Sequence, residues 1–342
     1  MTYRFFTPAP PRAATGRTAQ VYQQLREDFL GPAPTFQALS PAPELLAATW
    51  ALTREALIAD VPHPAHSRAD VTPGTSRVER EIVAAAVSRA NHCRFCLDAH
   101  ATLLHALGAH EPAEAMARGG IPQRPDHAEL TLWAEASRSP RASGWTGRYG
   151  PHHVGTLLAF HFINRVVSAL LMPDLLPGGL QRLPAVRAAG GRLYARATRK
   201  SVDPGRSLPL IGVNDGDNDP VTAAWTALRN AATGAIDLLG PEARQTVEAT
   251  VRWEDGRHPS QPREWAEDLI RDLPTADRPG ARIALLAAFA PDAITLGDVG
   301  LWRLSHPADA DLVRIVAFGA FTATDHVARA ADPHTAEEAN HA

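Results

Sequence analysis

Apolar side chains recur every three or four residues along most of the chain, a spacing that places them on one face of an α-helix. Val78, Ile82 and Ala86 form one such stripe. Ser76 and Glu79 precede it as a capping box, in which each side chain bonds an unpaired backbone N–H group of the first turn. No segment shows the strict alternation of a half-buried β-strand. The pattern therefore predicts an all-α fold.

The same reasoning gives approximate bounds for the other helices. Asp126 with Glu129 forms a second capping box. The pairs at 178–179 and 190–191 are Gly-Gly and are expected to break the helical turns of 174–200. A loop rich in His and Pro is expected at 62–73. Helices are predicted at residues 44–58, 76–90, 93–107, 126–137, 152–171, 221–239, 242–253, 263–273, 282–289 and 310–331.

The second half of the chain resembles the first and is interpreted as a degenerate repeat of it. The segment around Trp50 resembles the segment around Trp225, an offset of 225 − 50 = 175. Ala159-Phe160 resembles Ala317-Phe318, an offset of 317 − 159 = 158. The predicted organisation is a lead-in at 1–40, a first helical domain at 41–200, a linker at 201–220, a degenerate second repeat at 221–331 and a flexible tail at 332–342.

Charge and composition exclude several functional classes. The chain has 342 residues, with 34 basic and 37 acidic side chains, so its formal net charge is −3. That balance gives no reason to expect nucleic-acid binding. No signal peptide is recognisable, and the apolar run at 154–172 contains His161, Asn164 and Arg165, which are costly in lipid. The sequence predicts a cytoplasmic protein with no membrane partner, in which those three side chains form a satisfied buried polar cluster rather than a substrate contact.

Candidate chemistry concentrates around the two cysteines of the chain, Cys93 and Cys96. Their spacing, with His100 four residues later, places all three side chains on one face of a helix. The pair also lies at a predicted helix N-terminus, where the helix dipole favours a thiolate, and Arg94 adds positive charge nearby. Glu81 on the preceding helix reaches this face if the two helices pack antiparallel. The arrangement favours redox chemistry.

Several alternatives compete with that interpretation. A zinc site would use Cys93, Cys96, His100 and either His105 or His110, although the usual finger spacing is absent. Redox sensing without turnover also fits the thiol pair. Attachment of a c-type haem needs His directly after the second cysteine, where Leu97 stands. The acidic run at 214–219 lacks the Gly and Glu of a calcium loop, so we interpret it as linker.

The run Glu81-x11-Cys93-x2-Cys96-x3-His100 resembles the active-site signature of the alkyl hydroperoxidase D family, within the carboxymuconolactone decarboxylase superfamily. The resemblance covers about residues 40–175 and is closest to the peroxidase-related branch. It implies an all-helical fold of that type and a homo-oligomer. The decarboxylating branch lacks the cysteine pair, so its chemistry is a distant alternative.

Carried over by position, the resemblance implies that Cys96 attacks a hydroperoxide and that Cys93 resolves the product to a disulfide. Glu81 and His100 would act as a proton relay. The implied enzyme is an antioxidant thiol peroxidase or disulfide oxidoreductase, with no cofactor and no bound metal. Its substrate would be a hydroperoxide or small disulfide, and a lipoyl-bearing or thioredoxin-like dithiol protein would reduce it again.

Two departures qualify this expectation. The prototype peroxidases have a His immediately before the second cysteine, whereas this chain has Phe95. A relay group is therefore missing, which favours slower turnover. In the second half, Glu248 falls near the place of Glu81, with an offset of 248 − 81 = 167, but the segment 256–263 that would match the cysteines has no thiol. We expect this half to supply a pseudo-dimer interface and a wall of the active-site cleft.

Overall fold

The computed structural model describes residues 2–61, 75–213 and 219–331, and within these ranges the protein is built from α-helices. The predicted all-α fold is therefore confirmed. In chain order the α-helices are α1 (Gly16–Asp28), α2 (Pro34–Ala38), α3 (Pro43–Leu52), α4 (Arg77–Ala90), α5 (Arg94–Leu107), α6 (His110–Ala117), α7 (Pro125–Ala136), α8 (Pro140–Ser143), α9 (Pro151–Leu170), α10 (Pro184–Thr198), α11 (Pro220–Thr233), α12 (Pro241–Glu254), α13 (Pro262–Ile270), α14 (Arg278–Phe289), α15 (Leu296–Arg303) and α16 (Asp309–Ala331).

Shorter helical turns connect these elements. A π-helix at Thr53–Ile58 continues α3, so the helix predicted at 44–58 is present but widens in its second part. Over the described ranges the one extended pairing is an isolated antiparallel bridge between Tyr3 and Leu171. The 3₁₀ turns lie at Pro11–Ala13, Pro177–Arg182, Leu208–Ile211, Gly234–Leu238 and Pro291–Ala293.

The two predicted capping boxes have different outcomes. Ser76 accepts a hydrogen bond from the Glu79 backbone N–H, and the Glu79 carboxylate accepts one from Ser76, so the first box is confirmed. The second prediction is wrong. α7 begins at Pro125 with Arg124 as its N-cap residue, because proline is well suited to the first helical position. The Asp126 carboxylate instead accepts a hydrogen bond from Arg124 Nε at 3.1 Å.

The two Gly-Gly pairs also differ. Gly178 and Gly179 have φ of 67° and 69° and interrupt the helical turns, as predicted. The break predicted at 190–191 is wrong, because α10 runs through both glycines. A Cβ atom at Gly191 would lie less than 3.0 Å from the Cβ of His105 on α5. This glycine therefore permits the close packing of α10 on α5.

The core of the first half is built around α4, which packs against α5, α7 and α9. All but a few side chains of α9 are buried, so the apolar run predicted to be a buried helix is one. No helix of the described ranges is long and apolar enough to cross a bilayer. The two halves meet where α9 packs on α16 and α3 packs on α11.

Some elements were not expected from the sequence, namely α1, α2, α6, α8 and α15. Residues 201–213, in the predicted linker, pack against the first half, where Ser207 Oγ donates a hydrogen bond of 2.6 Å to buried Glu55. The expected loop at 62–73, the linker residues 214–218 and the tail at 332–342 lie outside the described residues. The predicted domain boundaries stay predictions.

Candidate active site

The two cysteines lie at the start of α5, with free thiols. Cys93 is the N-cap residue and Cys96 lies in the first turn. Both are almost fully enclosed, with 2% and 4% of their surfaces exposed. His92, directly before Cys93, has a left-handed φ of 58°, a conformation that is uncommon for residues other than glycine. The tight turn between α4 and α5 therefore sets the position of the first thiol.

The surroundings distinguish the two thiols electrostatically. Burial by itself would raise the pKa of Cys93, but hydrogen bonds from the Cys96 thiol, the Ser168 hydroxyl and the Cys96 backbone N–H leave that pKa below the ordinary value of a thiol. Burial, together with hydrogen bonding to Cys93, raises the pKa of Cys96 well above the ordinary value. In the resting protein the thiolate is thus favoured on Cys93, and the proton on Cys96.

Glu81 and His100 meet where α4 packs on α5. His100 Nδ1 lies 2.6 Å from Glu81 Oε2, and Glu81 is fully buried. Arg77, one turn earlier on α4, donates hydrogen bonds of 2.9 and 2.7 Å to Glu81 Oε1. Burial would raise the pKa of Glu81, but Arg77 and His100 outweigh it and keep the pKa below its usual value. A charged carboxylate therefore orients the imidazole.

The imidazole of His100 has an aromatic neighbour as well. The Phe160 ring on α9 contacts it edge-on, with centroids 4.3 Å apart. Among the described residues, the hydrogen bond of His100 goes to Glu81, and none joins it to a sulfur atom. The structure thus brings the four predicted site residues to one helix junction, as a thiol pair and a carboxylate–imidazole pair.

The charge expected from Arg94 is neutralised. Its guanidinium forms an ion pair with the buried carboxylate of Asp98, with Arg94 Nη2 and Asp98 Oδ1 3.0 Å apart. Asp98 acts on Cys93 in the direction that raises the pKa of the thiol. The thiolate on Cys93 is therefore favoured by its hydrogen-bond donors rather than by Arg94.

A buried polar cluster lies next to the α4–α5 turn, centred on His161 of α9. The Nε2 atom of His161 lies 2.8 Å from Ser137 Oγ, and its Nδ1 atom lies 3.2 Å from Asn91 Nδ2 and 3.2 Å from Arg165 Nη1. Burial first, and then Arg165 and Arg138, lower the pKa of His161 well below its usual value, so the ring is neutral. His161 and Arg165 are hydrogen-bonded, as the sequence predicted. Asn164 Oδ1 accepts a hydrogen bond of 3.1 Å from Ser88 Oγ, but Asn164 Nδ2 is buried without a partner among the described residues, so the predicted cluster is satisfied only in part.

The residues of the alternative zinc site are engaged elsewhere. His105 Nε2 lies 2.8 Å from Glu114 Oε1, and His105 Nδ1 lies 2.8 Å from His110 Nδ1. Across residues 2–61, 75–213 and 219–331, no group of three or more His, Cys, Asp or Glu side chains is arranged to hold a metal ion. The donor set proposed for zinc is therefore not assembled at the thiols.

Sequence reasoning missed three neighbours of the site. Arg77 could have been found from its spacing of four residues to Glu81, since that spacing brings helical side chains together. Phe160 and Ser168 lie on α9, far from the cysteines in sequence. Glu248, the predicted counterpart of Glu81, is exposed on α12. The buried carboxylate is thus a feature of the first half.

Comparisons with known proteins give one family and one similar protein. A model described as the carboxymuconolactone decarboxylase family matches residues 65–118, a span that contains Glu81, both cysteines and His100. The chain is also 34% identical over 335 residues to a protein of Mycobacterium tuberculosis named alkyl hydroperoxide reductase. That match covers 94% of this chain and 92% of the relative. No solved structure matches the chain significantly.

Proposed function

The chain belongs to the carboxymuconolactone decarboxylase family, and on that premise we propose that it reduces organic hydroperoxides through a dithiol–disulfide cycle of Cys93 and Cys96. The observation that carries the proposal is the junction of two free, hydrogen-bonded thiols with an imidazole held 2.6 Å from a buried carboxylate. The name of the mycobacterial relative, alkyl hydroperoxide reductase, supports the same chemistry.

The first step transfers one oxygen atom to sulfur. As Cys96 attacks the outer peroxide oxygen, its proton crosses the hydrogen bond to the Cys93 thiolate, because a thiolate is the reactive form. The O–O bond breaks, Cys96 becomes a sulfenic acid, and the alkoxide leaves as an alcohol after it takes a proton from the His100–Glu81 pair. Positioned acid–base groups of this kind contribute about 10²–10⁴ in rate.

The second step closes the disulfide. Cys93 attacks the sulfur of the Cys96 sulfenic acid, and the displaced hydroxide takes the Cys93 proton and leaves as one molecule of water. An external dithiol, from a lipoyl-bearing or thioredoxin-like protein, then reduces the disulfide by thiol–disulfide exchange, and its two protons restore the Cys96 thiol and the His100–Glu81 pair. We propose that the cycle needs no cofactor and runs in a cytoplasmic homo-oligomer. Without an imidazole at Phe95, we expect turnover to be slow.

The test is hydroperoxide consumption by the purified protein with dihydrolipoamide as donor. Sustained turnover is expected from the wild type and is expected to vanish in Cys96→Ser. The proposal is wrong if Cys96→Ser consumes peroxide at the wild-type rate. Consumption of one equivalent, with no turnover in the presence of excess dithiol, would instead identify a redox sensor.

The order of attack has its own test. In Cys93→Ser, one equivalent of peroxide is expected to leave a sulfenic acid on Cys96, which dimedone labelling and peptide mass spectrometry detect. Cys96→Ser is the matched control, and we expect no label on its Cys93. Labelling of Cys93 alone would show that the roles of the two thiols are reversed.

A further inference from the structure

Three loops converge beside the thiols and bring together basic side chains from both halves. We call His92, Arg138 and His258 the basic junction. His92 lies in the α4–α5 turn, Arg138 follows α7, and His258 lies in the loop after α12. The two imidazoles are exposed, and their ring centroids are 5.6 Å apart. His92 directly precedes Cys93 in the chain, and its exposed ring lies on the turn that positions this thiol.

Arg138 supplies the permanent charge of this junction. Its Nη1 atom donates hydrogen bonds of 3.0 Å to the Ala90 carbonyl and 3.0 Å to Asn91 Oδ1. Within the described ranges, no carboxylate pairs with Arg138, and its Nε and Nη2 atoms have no protein acceptor. Burial lowers the pKa of Arg138 to about 10, so the guanidinium is still charged at neutral pH.

A second uncompensated cation lies behind the first. Arg165 donates hydrogen bonds of 2.8 Å to the Ala288 carbonyl and 2.7 Å to the His161 carbonyl, and the described residues provide it with no carboxylate. Burial, and then Arg138, lower the pKa of Arg165 to about 9. Two neighbouring cations without a counter-charge are costly to keep partly out of water.

Another buried arginine shows how this chain compensates a cation. Arg54 is fully enclosed in the first half and pairs with both Asp28 and Glu55, at 2.9 and 2.7 Å. Within the described ranges, buried Arg80 has no ion pair and bonds the Ala56 and Ala59 carbonyls, but Glu81, Asp60 and Glu79 lie near enough to raise its pKa. Among the described residues, no carboxylate acts in this way on Arg138 or Arg165. The positive charge of Arg138 and Arg165 is thus balanced by no carboxylate of the described residues, which favours an anion beside them.

The neighbouring titratable groups leave the junction positive at neutral pH. Burial, then Arg138 and His258, lower the pKa of His92, and Asp292 opposes them. The His92 ring is therefore neutral near pH 7 and available as an N–H donor. Asp292 also acts on Arg4, so its single negative charge is shared with a further cation.

We propose that the basic junction binds the carboxylate of a small anionic ligand that enters the thiol site. The assignment deepens the proposed peroxidase function and rests on it for the identity of the ligand. Arg138 Nε and Nη2 offer the forked donor pair that a carboxylate accepts, and the imidazoles of His92 and His258 add N–H donors. The carboxylate can belong to the hydroperoxide or to the dithiol that reduces the disulfide.

Direct binding tests the site without any catalysis. Calorimetric titration with octanoate is expected to give a dissociation constant at least about tenfold lower than titration with octanamide, as charge-assisted hydrogen bonds provide. Arg138→Gln is expected to abolish this preference. The matched control is Arg252→Gln, which removes an exposed guanidinium from α12 and is expected to retain the preference.

A second variant keeps the test valid if Arg138→Gln fails to fold. His258→Gln replaces an exposed imidazole whose hydrogen bond is to the neighbouring Pro259 carbonyl, and it is expected to weaken octanoate binding about threefold while octanamide binding is unchanged. The proposal is overturned if wild-type protein binds octanoate no more tightly than octanamide. It is also overturned if folded Arg138→Gln behaves like Arg252→Gln.

Kinetics then identify which reactant carries the carboxylate. A preference in kcat/KM for linoleic acid hydroperoxide over its methyl ester assigns the carboxylate to the peroxide. A preference for dihydrolipoate over dihydrolipoamide assigns it to the donor. Arg138-dependent octanoate binding without turnover of any peroxide would support the junction while contradicting the proposed function. Turnover of a peroxide by a protein that binds octanoate no more tightly than octanamide would support the proposed function and contradict the proposal for the basic junction.

Discussion

The two long helices α9 and α16 pack against each other and differ in what they hold. The predicted repeat aligns them with an offset of 158, since 319 − 161 = 158, so that His161 corresponds to Gly319 and Arg165 to Ala323. On α9 these positions carry a buried hydrogen-bonded network. On α16 they are small, and a Cβ atom at Gly319 would lie less than 3.0 Å from the Ala284 carbonyl oxygen on α14.

The difference shows how one helical framework serves two purposes. In the first half, His161 links the turn before Cys93 to the end of α7 through Asn91 and Ser137. Buried polar groups that are fully hydrogen-bonded fix a local arrangement, here that of the turn holding the thiol. In the second half the corresponding residue is Gly319, which has no side chain, so the backbones of α16 and α14 can approach each other closely. This difference fits the proposal that the first half holds the reactive site and that the second half supports it through packing.

The largest expected effect is a difference in kcat between variants of two corresponding carboxylates, Glu81 and Glu248. Glu81→Gln removes the charge that orients His100, and we expect kcat with hydroperoxide to fall by about 10²-fold, in the range of acid–base contributions. Glu248→Gln changes an exposed residue of α12 and is expected to leave kcat unchanged. The measurement is steady-state peroxide consumption by both variants at saturating dithiol.

Equal activities for the two variants would contradict the division of labour between the halves. A melting curve of Glu81→Gln serves as its control, because Arg77 loses its carboxylate partner in that variant. The comparison is valid if the variant remains folded at the assay temperature.

A glycine pair tests the packing role of the second half. Gly319→Ala places a methyl group against the α14 backbone, and we expect the free energy of unfolding to fall by about 3 kcal/mol, at the upper end of overpacking costs. Gly300→Ala on α15 has no neighbouring atom within 4 Å of the new Cβ. It is expected to raise the free energy of unfolding, since Ala is favoured over Gly in a helix by about 0.8–1 kcal/mol.

Urea denaturation of the two variants gives both values. If Gly319→Ala lowers the free energy of unfolding by no more than an ordinary surface substitution does, α14 and α16 can separate easily. The proposed supporting role of the second half would then need another basis.

The smallest expected effect is on the pH dependence of stability. His153 of α9 is buried, and burial lowers its pKa to about 4. The folded protein therefore favours the neutral ring. Above pH 6.5, the ordinary pKa of the side chain, both states are neutral. Below that pH the unfolded chain binds the proton first, so stability falls as the pH decreases toward 4.

His153→Phe is expected to reduce this acid-induced loss by about 1 kcal/mol, which allows for the partial solvent screening of the group. Asp311, at the corresponding position of α16, provides the control substitution Asp311→Asn, which changes no histidine. Urea denaturation at pH 7 and pH 5 measures both effects. If the stability of His153→Phe falls between pH 7 and pH 5 by as much as that of the wild type, burial of His153 is not the cause of the fall.

The helices that carry a clear apolar stripe were predicted within a few residues, α4, α5, α9 and α16 among them. α1 was missed because its sequence is mostly polar and its buried apolar side chains are only Val21, Tyr22 and Leu25. The break predicted at Gly190-Gly191 was wrong because local helix propensity omits the contact with α5 that these glycines permit. Both α1 and the unbroken α10 depend on tertiary contacts, which the local sequence pattern does not show.

In the candidate site, too, some residues could be related to one another from the sequence and others could not. Cys93, Cys96 and His100 lie within two turns of one helix, so their spacing was sufficient to bring them together. The contact of Glu81 with His100 followed from the family resemblance and a condition on helix packing, and the structure has it at 2.6 Å. Arg138 and His258 come from other loops, and no local pattern relates them to the thiols. Their meeting could only be seen in the folded chain.

The central claim is that one dithiol centre, in the first half, carries the chemistry. The most direct measurement is peptide mass spectrometry of the protein after one equivalent of cumene hydroperoxide, with the alcohol product quantified in the same sample. We predict one Cys93–Cys96 disulfide per alcohol formed in the wild type and none in Cys96→Ser. Two free thiols per chain after the peroxide has been consumed would contradict the claim.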